Sequence, residues 1–590
     1  SLCDWSSDVC SSDLGGPPRL IDSGENIMAL SQQEHFHHTN ANEPLYVTGR
    51  GLQLLNDPWF NKGTSFTIEE RDALGLRGLI PPFVADMEEQ VQRAMENYRH
   101  KTDPLDKYIF LTALHDRNVT LFYRVLMEHL TEMTPIMYTP TVGFACQQFG
   151  HIYRKNRGMY ISLHDKGRVA EVLDNWPNDE VDIIVISDGS RILGLGDLGA
   201  NGMGIPIGKL VLYVIGAGLD PARTLPILLD VGTDNEDLLS DPLYLGITHR
   251  RVHGVEFFEI IDEFVQAATK RWPHVLIQWE DFTNDKAFPL LNRYREKVLC
   301  FNDDIQGTGA VALAGLLSAV RIRKENLSDQ KIVFYGAGSA SVGIADMICA
   351  GMADETGIDL YQARQRIWLI DSRGLVTSNR GDRLEEHKIP YARDHEPIES
   401  LLDVVRQVKP TIIIGASGQP QTFTRDVVES MYSHCGQPII FALSNPTTKS
   451  ECTAQQAYEW TNGNAIFASG SPFDPVRLEG KIYVPGQGNN MFIFPGIGLG
   501  AVVCGARKIT DEMFFTAAKT LSHMVTAEEL EAGTVYPDLG KIRQISLAIA
   551  TAVCRLAYDE GLAQFPEPDD LRQYVRDCMY HPEYREYIAS

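Results

Sequence analysis

The sequence predicts an α/β protein in which a helical N-terminal region precedes two parallel sheets, the second of them doubly wound. Helical spacing dominates up to about residue 156, and short apolar runs that end in Gly or Asp follow from about residue 157. Helical segments separate these runs, as in a parallel sheet. From Lys331 onward, near-continuous apolar runs predict strands that are buried on both faces. A length of 590 residues suffices for three or four domains.

The first segment of the chain is set aside from the fold. Residues 4–14 resemble a reading-frame translation of a common sequencing-library adapter, so we expect residues 1–27 to be an assembly artefact and Met28 to be the natural start. Residues 28–156 are assigned to a helical N-terminal domain. Within it, Thr67 and Glu70 have the spacing of a capping box at the start of a helix.

Composition indicates which partners to expect. A net charge of −25 argues against nucleic acid and anionic membranes as principal partners. No uninterrupted apolar stretch is long enough to predict a membrane span. The ten cysteines include no Cys-x-x-Cys pair, so neither a zinc site nor a disulfide framework is indicated. A reducing cytoplasm is the expected setting.

Five apolar runs predict the strands of a central domain over residues 157–304. They are 183–186, 192–195, 225–229, 275–278 and 298–300. Carboxylates follow the last two runs, at Glu280-Asp281 and Asp303-Asp304, and open α/β sheets bind ligands at such strand ends. Clustered carboxylates repel one another unless a cation joins them, and oxygen ligands without His or Cys select Mg²⁺ or Mn²⁺. The alternative is that these residues cap the helices that follow.

A dinucleotide fingerprint follows the first strand of the second series. The strand 331–335 leads into Gly336-x-Gly338, whose glycines let the backbone approach a pyrophosphate at a helix N-terminus. The match is imperfect because Ser341 stands at the third glycine position. Asp371 ends the next strand, 33 positions after Gly338, and is the expected ribose ligand. Further strands are predicted at 411–415, 438–441 and 465–467.

The sequence leaves the roles of three other side chains open. Arg191 belongs either to a plain turn or to a clamp for a substrate carboxylate. Lys209 lies in an apolar, glycine-rich stretch, and it is either a solvated helix lysine or a buried amine with a lowered pKa. By composition alone, Tyr138 is a core aromatic residue.

The run 301–308 (Phe-Asn-Asp-Asp-Ile-Gln-Gly-Thr) resembles the signature of malic enzymes, and the resemblance extends over about residues 43–560. It implies that Tyr138 is the catalytic acid and Lys209 the general base, with Asp303 beside the lysine. It implies substrate-binding roles for Arg191, Asn445 and Asn489, and metal-ligand roles for Glu280, Asp281 and Asp304. The cofactor-binding residues that it implies are Arg191, Asp304, Gly336, Gly338, Ser339, Asp371 and Asn445.

The resemblance also implies an arrangement of domains. A substrate and metal domain at 157–304 is interrupted by a Rossmann-type NAD-binding domain at 305–489. The segment 490–562 completes the first of these, and a C-terminal tail at 563–590 remains. A homotetramer is the implied assembly.

Among malic enzymes, the chain is most similar to the bacterial NAD-dependent type. Such an enzyme oxidatively decarboxylates (S)-malate to pyruvate and CO₂ with reduction of NAD, by way of metal-bound oxaloacetate and enolpyruvate. Asp371 favours NAD because its charge would repel a 2′-phosphate, whereas the neighbouring Ser372 and Arg373 favour NADP. A malolactic enzyme, which retains its NAD and releases lactate, is an alternative. A non-catalytic paralogue would have lost a metal ligand, Lys209 or Tyr138, and all of these residues are present.

Overall fold

The structure, a computed structural model, describes residues 44–590 without the side chains of residues 381–383. The predicted artefact at 1–27 and the predicted N-terminal domain up to residue 43 lie outside the described residues. From residue 44 to residue 156 the chain is mainly helical, as predicted. Its elements are β1 (Leu45–Val47), α1 (Leu52–Asn56), α2 (Ile68–Ala73), α3 (Met87–Arg99), α4 (Pro104–His115), α5 (Val119–Glu128), α6 (Leu130–Met137), α7 (Thr141–Gln147) and α8 (Phe149–Ile152). The capping box of Thr67 and Glu70 is confirmed at the start of α2.

A five-stranded parallel sheet follows the helical region. Its strands are β2 (Met159–Ser162), β3 (Ile183–Ser187), β4 (Thr224–Asp230), β5 (Leu276–Trp279) and β6 (Cys300–Asn302), in the order β2-β4-β3-β5-β6. Its helices are α9 (Val169–Leu173), α10 (Gly204–Ala217), α11 (Glu236–Ser240), α12 (Val255–Arg271), α13 (Asn284–Tyr294) and α14 (Thr308–Arg323). Ile184, Ile186 and Phe264 are fully buried in the core that the sheet shares with α12. The π-helical turn Asp303–Gly307 joins β6 to α14, so the carboxyl ends of β5 and β6 lie side by side.

One predicted strand of the central sheet is wrong. Residues 192–195 form a tight turn that is closed by a bridge between Ile192 and Gly196. Leu193 has a φ of 49° and Gly196 a φ of 87°, which lie in the left-handed region and not in that of an extended strand. Ile192 is nevertheless fully buried, so the apolar pattern records burial here and not strand geometry.

A seven-stranded sheet forms the second α/β unit, and five of its strands had been predicted. Its strands are β7 (Ile332–Tyr335), β8 (Ile367–Asp371), β9 (Gly374–Leu375), β10 (Ile412–Gly415), β11 (Ile439–Ala442), β12 (Ile466–Ser469) and, after the hairpin β13 (Val476–Leu478) and β14 (Lys481–Tyr483), β15 (Gly486–Gln487). The order is β15-β12-β11-β10-β7-β8-β9, and only β9 is antiparallel to its neighbour. Its helices are α15 (Ser339–Thr356), α16 (Leu360–Arg364), α17 (Leu401–Val408), α18 (Arg425–Cys435) and α19 (Ala454–Glu459).

The chain then returns to the central domain. The last elements are α20 (Phe494–Val503), α21 (Asp511–His523), α22 (Ala527–Glu531), α23 (Ile542–Asp559), α24 (Leu571–Asp577) and β16 (Tyr587–Ala589). α20 is buried along its whole length and packs against α10 and α23. β16 pairs in parallel with β1, so the predicted tail at 563–590 contains a helix and a paired strand. The predicted domain boundaries stay a prediction.

Two helical segments within the described residues are long and apolar enough to cross a membrane, judged by length and composition alone. They are Gly199–Ala217 and Asp303–Arg323. The sequence had indicated no such stretch. Within the fold, the apolar window of the first is completely buried and that of the second is 78% buried, so the interior of the protein covers both.

Candidate active site

The two predicted acidic clusters meet at the edge of the central sheet. Glu280 and Asp281 directly follow β5, and Asp304 lies in the π-helical turn after the neighbouring β6. One oxygen of each of these three carboxylates lies within 4.8 Å of the others. The backbone N–H of Asp281 donates to Asp304 Oδ2 at 2.9 Å. The strand ends therefore bring the predicted metal ligands together.

Helix capping does not account for these carboxylates. The π-helical turn is capped by Asn302, whose Oδ1 accepts from the backbone N–H of Ile305 at 3.0 Å. Thr283 occupies the N-cap position of α13. Gly307 leaves room for Asp303, because a Cβ at that glycine would lie 1.9 Å from Asp303 Oδ1.

The electrostatics of the cluster fit a hard divalent cation. Burial raises the pKa of Glu280 well above its usual range, and the neighbouring carboxylates add to this although Lys209 opposes it. Burial and then repulsion by Asp304 raise the pKa of Asp281 to about 8. Two buried carboxylates whose pKa values are raised, with a third, half-buried carboxylate beside them, are an oxygen ligand set suited to Mg²⁺ or Mn²⁺.

Lys209 is a buried amine and not a solvated helix lysine. It lies on α10 with no exposed surface, and its Nζ is 2.5 Å from Asp303 Oδ2 and 3.0 Å from Glu280 Oε1. The prediction of a lowered pKa for Lys209 is wrong for the protein without a bound cation. Burial does lower the pKa of Lys209, but the Asp303 and Glu280 carboxylates outweigh burial and raise it well above its usual range.

Tyr138 is buried, as a core aromatic residue would be, but it lies against the lysine. Lys209 Nζ is 5.3 Å from the centre of the Tyr138 ring. Gly208 leaves room for the ring, because a Cβ there would make a tight contact of 3.1 Å with Tyr138 Cδ2. Burial raises the pKa of Tyr138 well above its usual range, so the phenol keeps its proton. Tyr138 is therefore a protonated phenol that lies beside the Lys209 amine.

Arg191 and Asn445 connect the two sheets. The Arg191 guanidinium donates to Ser339 Oγ, in the first turn of α15, at 3.2 Å. In the same loop, a Cβ at Gly194 would lie 2.8 Å from the backbone O of Asn445, so that glycine allows the close approach. Ser471 Oγ donates to Asn445 Oδ1 at 2.5 Å. The loop after β3 and the segment after β11 thus face each other across the site.

The structure places Asn490, and not the predicted Asn489, against the carboxylate cluster. Asn490 Nδ2 donates to Asp303 Oδ2 at 2.5 Å. Asn489 Oδ1 instead accepts from the backbone N–H of Met491 at 2.9 Å and caps the turn Asn490–Phe492. The sequence contains two adjacent asparagines, and spacing alone does not show which of them faces Asp303. The substrate-binding role of Asn489 stays a prediction.

The predicted fingerprint forms a dinucleotide-type turn. Gly336 has a φ of 118°, and a Cβ there would lie 2.6 Å from the backbone O of Ala416. Gly338 is the residue before α15, and a Cβ there would make only an ordinary contact, 3.5 Å from Asn284 Nδ2. The glycine that lets α15 pack closely is Gly343 and not position 341, because a Cβ at Gly343 would lie 2.5 Å from the backbone O of Ile305. α15 therefore contacts the turn that carries Asp303 and Asp304.

A cavity of about 910 Å³ extends from the carboxylate cluster to the glycine turn 336–338. This volume is suited to a cofactor and a small substrate. The predicted site residues that line it are Arg191, Asp281, Asp304, Gly336, Gly338, Asp371 and Asn445. The others, Tyr138, Lys209, Glu280, Asp303, Ser339 and Asn489, are buried around it. The cavity thus runs along the carboxyl edges of both sheets.

Asp371 ends β8, and two basic side chains contact its carboxylate. Arg380 Nη1 donates to its Oδ2 at 2.7 Å, and Lys388 Nζ lies 3.3 Å from the same oxygen. Burial opposes ionisation, but these partners outweigh it and lower the pKa of Asp371. Lys388 also lines the cavity, beside Asp371 and Ser372. Sequence reasoning missed Lys388, because it lies 17 residues after Asp371 in no recognisable motif.

Known proteins are similar to this chain in sequence and in fold. The family profile "Malic enzyme, N-terminal domain" matches residues 115–295, and "Malic enzyme, NAD binding domain" matches residues 305–558. The NADP-dependent malic enzyme of Dictyostelium discoideum is 53% identical over 533 residues, which cover 90% of this chain and 98% of that protein. The NADP-dependent malic enzyme of Rattus norvegicus is 50% identical over 544 residues, which cover 92% of this chain and 95% of that protein. The crystal structure of Entamoeba histolytica malic enzyme, 22% identical with a TM-score of 0.54 over 86% of this chain and 91% of that one, has a similar fold. This chain belongs to the malic enzyme family.

Proposed function

We propose that this chain oxidatively decarboxylates (S)-malate to pyruvate and CO₂ while reducing NADP⁺. The observation that carries the proposal is the contact of Lys209 with Asp303 and Tyr138 beside three clustered carboxylates. Glu280, Asp281 and Asp304 are the residues that would hold the divalent cation. When bound, the cation supplies Lewis-acid polarisation of a substrate oxygen, and the nicotinamide supplies a hydride acceptor.

The side chains divide the proton transfers between them. Because nearby carboxylates raise the pKa of Lys209, its neutral form requires the positive charge of a bound cation close by. In that form Lys209 would accept the proton of the malate C2 hydroxyl, and Asp303 Oδ2, 2.5 Å away, offers that proton an exit. Tyr138, kept protonated by burial, donates to C3 of enolpyruvate after CO₂ has left. Arg191, which Ser339 orients, binds a malate carboxylate.

Lys388 supports NADP as the cofactor. Asp371 was expected to repel a 2′-phosphate, but Arg380 and Lys388 offset its charge. Lys388 also lines the cavity, so its ammonium group can approach that phosphate. The relatives from Dictyostelium discoideum and Rattus norvegicus are both named NADP-dependent. The NAD-dependent bacterial subtype expected from the sequence is therefore not confirmed.

Steady-state assays with malate and Mn²⁺ test both parts of the proposal. We expect a higher kcat/KM for NADP⁺ than for NAD⁺, and one reduced cofactor formed for each pyruvate. Lys388→Gln should lower kcat/KM for NADP⁺ by about tenfold or more, the worth of one charge-assisted contact, and change that for NAD⁺ little. Lys481→Gln, which changes an exposed lysine of β14, is the matched control.

Two results would contradict the proposal. Lactate formed without net reduced cofactor would indicate a malolactic enzyme. A wild-type preference for NAD⁺ that Lys388→Gln leaves unaltered would restore the NAD reading based on Asp371.

We also propose a homotetramer, as the family resemblance implies. A run of exposed apolar side chains in the N-terminal region, at Leu79, Phe83 and Val84, supports contact with another copy. Light scattering coupled to gel filtration measures the assembly directly, and a monomer mass would exclude it. The cytoplasmic setting stays a prediction.

A further inference from the structure

Both carboxylate oxygens of Glu280 are held by donors within the protein. Lys209 Nζ lies 3.0 Å from Oε1, and Gln278 Nε2 donates to Oε2 at 2.8 Å. Gln278 precedes Glu280 by two residues on β5, and it is completely buried. Its own Oε1 accepts a hydrogen bond from the Tyr213 hydroxyl at 2.5 Å. A chain of hydrogen bonds therefore runs from Tyr213 through Gln278 to Glu280.

The donors and acceptors of these groups fix the direction of the hydrogen bonds from Tyr213 to Glu280. An ionised Glu280 can only accept, so Gln278 must turn its NH₂ group toward Glu280 and its carbonyl toward Tyr213. Burial raises the pKa of Tyr213, so the phenol retains the proton that it donates to that carbonyl. Without the phenol, the buried Gln278 carbonyl would lack this donor, and the amide would lose the contact that decides its orientation.

The ring of Tyr213 has a fixed place. Tyr213 follows Lys209 by one turn of α10, so one helix holds Glu280 Oε1 directly and Oε2 through Gln278. A Cβ at Gly498, on α20, would lie 2.5 Å from Tyr213 Cε1, so this glycine leaves room for the ring. Phe494 contacts the ring edge-on, with centroids 4.8 Å apart.

We propose that Tyr213 and Gln278 are positioning residues that hold Glu280 in the orientation in which it binds the divalent cation. The inference rests on the proposed function in one respect, namely that Glu280, Asp281 and Asp304 form the cation site. Hydrogen-bond partners behind a metal ligand are generally worth about 10–100-fold in metal affinity. Neither residue needs to touch substrate or cofactor for this role.

Direct Mn²⁺ binding tests the role without any turnover. The full chain is titrated with Mn²⁺ in the absence of malate and nucleotide, and free Mn²⁺ is measured by electron paramagnetic resonance. Tyr213→Phe should weaken Mn²⁺ binding by about tenfold, and Gln278→Leu by about 10–100-fold. The double variant should resemble Gln278→Leu alone, because both changes break the same chain.

A matched control separates this role from a general loss of packing. Tyr536 is also a buried tyrosine, and its hydroxyl donates to the backbone O of Val311 at 2.9 Å. Tyr536→Phe should lower the melting temperature about as much as Tyr213→Phe does and leave Mn²⁺ affinity unchanged. NADP⁺ affinity should be unaltered in all of these variants.

The outcomes are distinguishable. Wild-type Mn²⁺ affinity in folded Tyr213→Phe and Gln278→Leu would overturn the inference and leave the proposed function intact. Equal loss of Mn²⁺ affinity in Tyr536→Phe would show a packing effect and would also overturn it. A wild-type chain that binds no Mn²⁺ at all would instead overturn the cation site on which the proposed function depends.

Discussion

Lys209 Nζ lies 2.5 Å from Asp303 Oδ2, and neither side chain is exposed to solvent. The lysine comes from α10 and the aspartate from the π-helical turn after β6, so a buried ion pair joins helix and sheet. Within the protein alone, the pairing raises the pKa of Lys209 and keeps its proton in place. A base at this position therefore needs positive charge nearby, and the clustered carboxylates beside it fit a divalent cation.

Asp303→Asn should move the acid limb of the kcat/KM profile to lower pH. Asparagine keeps the shape but removes a negative charge beside Nζ, so the pKa of Lys209 falls and the neutral base persists in more acid solution. Turnover should fall by about 10²–10⁴-fold, because the proton loses its nearest acceptor. Initial rates at low malate across the pH range measure both effects. An acid limb that stays in place would contradict the pairing.

Asp304→Asn should weaken Mn²⁺ binding by about tenfold or more, because it removes one charged ligand of three. The amide oxygen can still accept from the backbone N–H of Asp281, so the turn should keep its shape. Mn²⁺ titration of the purified variant measures the change, and Asp426→Asn, an exposed aspartate in the first turn of α18, is the control. Wild-type affinity in Asp304→Asn would remove this residue from the metal site.

Apolar runs and helical spacing predicted most of the fold, because buried residues of strands and helices recur at regular intervals in the sequence. The strand that ends at Asp371 was predicted from its apolar run, and the glycines of the fingerprint were predicted from their order. The strand before Asp303 was predicted at 298–300 and lies at Cys300–Asn302. The turn at 192–195 was misread because Ile192 is buried without being in a strand. An apolar residue reports burial, whereas the left-handed φ of Leu193 leaves no sign in the sequence.

What sequence reasoning missed in the site depends on contacts between distant segments. Asn490 and Asp303 lie 187 positions apart, and Lys388 reaches Asp371 through a segment without a motif. The pKa direction of Lys209 was misjudged for a similar reason. An apolar flank indicated burial, but the two carboxylates within 3.0 Å come from other elements and outweigh that burial.

Gly336→Ala should lower NADP⁺ affinity by about tenfold or more, because a left-handed non-glycine residue costs on the order of 1–3 kcal/mol. The new Cβ would also meet the backbone O of Ala416 at 2.6 Å. Gly357→Ala is the matched control, since that glycine has a φ of 72° at the end of α15 but faces open space. Quenching of protein fluorescence measures NADP⁺ binding, and equal affinity in both variants would argue against the predicted pyrophosphate turn.

His115→Gln should make the fold less sensitive to acid. Removal from water lowers the pKa of His115 to about 3, and the ring packs edge-on against Phe122 and Tyr123. An unfolded chain binds this proton below about pH 6.5. The unfolded state therefore holds one more proton between these two pH values, and stability falls as the pH falls through that window. Denaturant unfolding of both proteins across this window measures the difference, and the exposed His523→Gln should behave as wild type. Parallel stability curves for His115→Gln and wild type would contradict the burial argument.

Tyr138→Phe should separate the two proton transfers that we propose for the site. Reduction of oxaloacetate to malate by NADPH requires Lys209 and the cation but no protonation at carbon. Exchange of solvent deuterium into the methyl group of pyruvate requires enol chemistry but no hydride transfer. Because Tyr138 stays protonated beside Lys209, its loss should slow the exchange by about 10²–10⁴-fold and affect the reduction much less.

Lys209→Ala is the necessary comparison, because it removes the group that returns the proton to the C2 oxygen during the reduction. It should damage oxaloacetate reduction severely, and residues that act as a unit need not show additive effects. Both partial reactions are therefore measured in both variants, with Mn²⁺ affinity as a check that the carboxylate cluster survives. Equal depression of the two reactions in Tyr138→Phe would mean that the tyrosine orients Lys209 and does not protonate the enol. The contribution of Tyr138 would then be limited to its ring contact with Lys209.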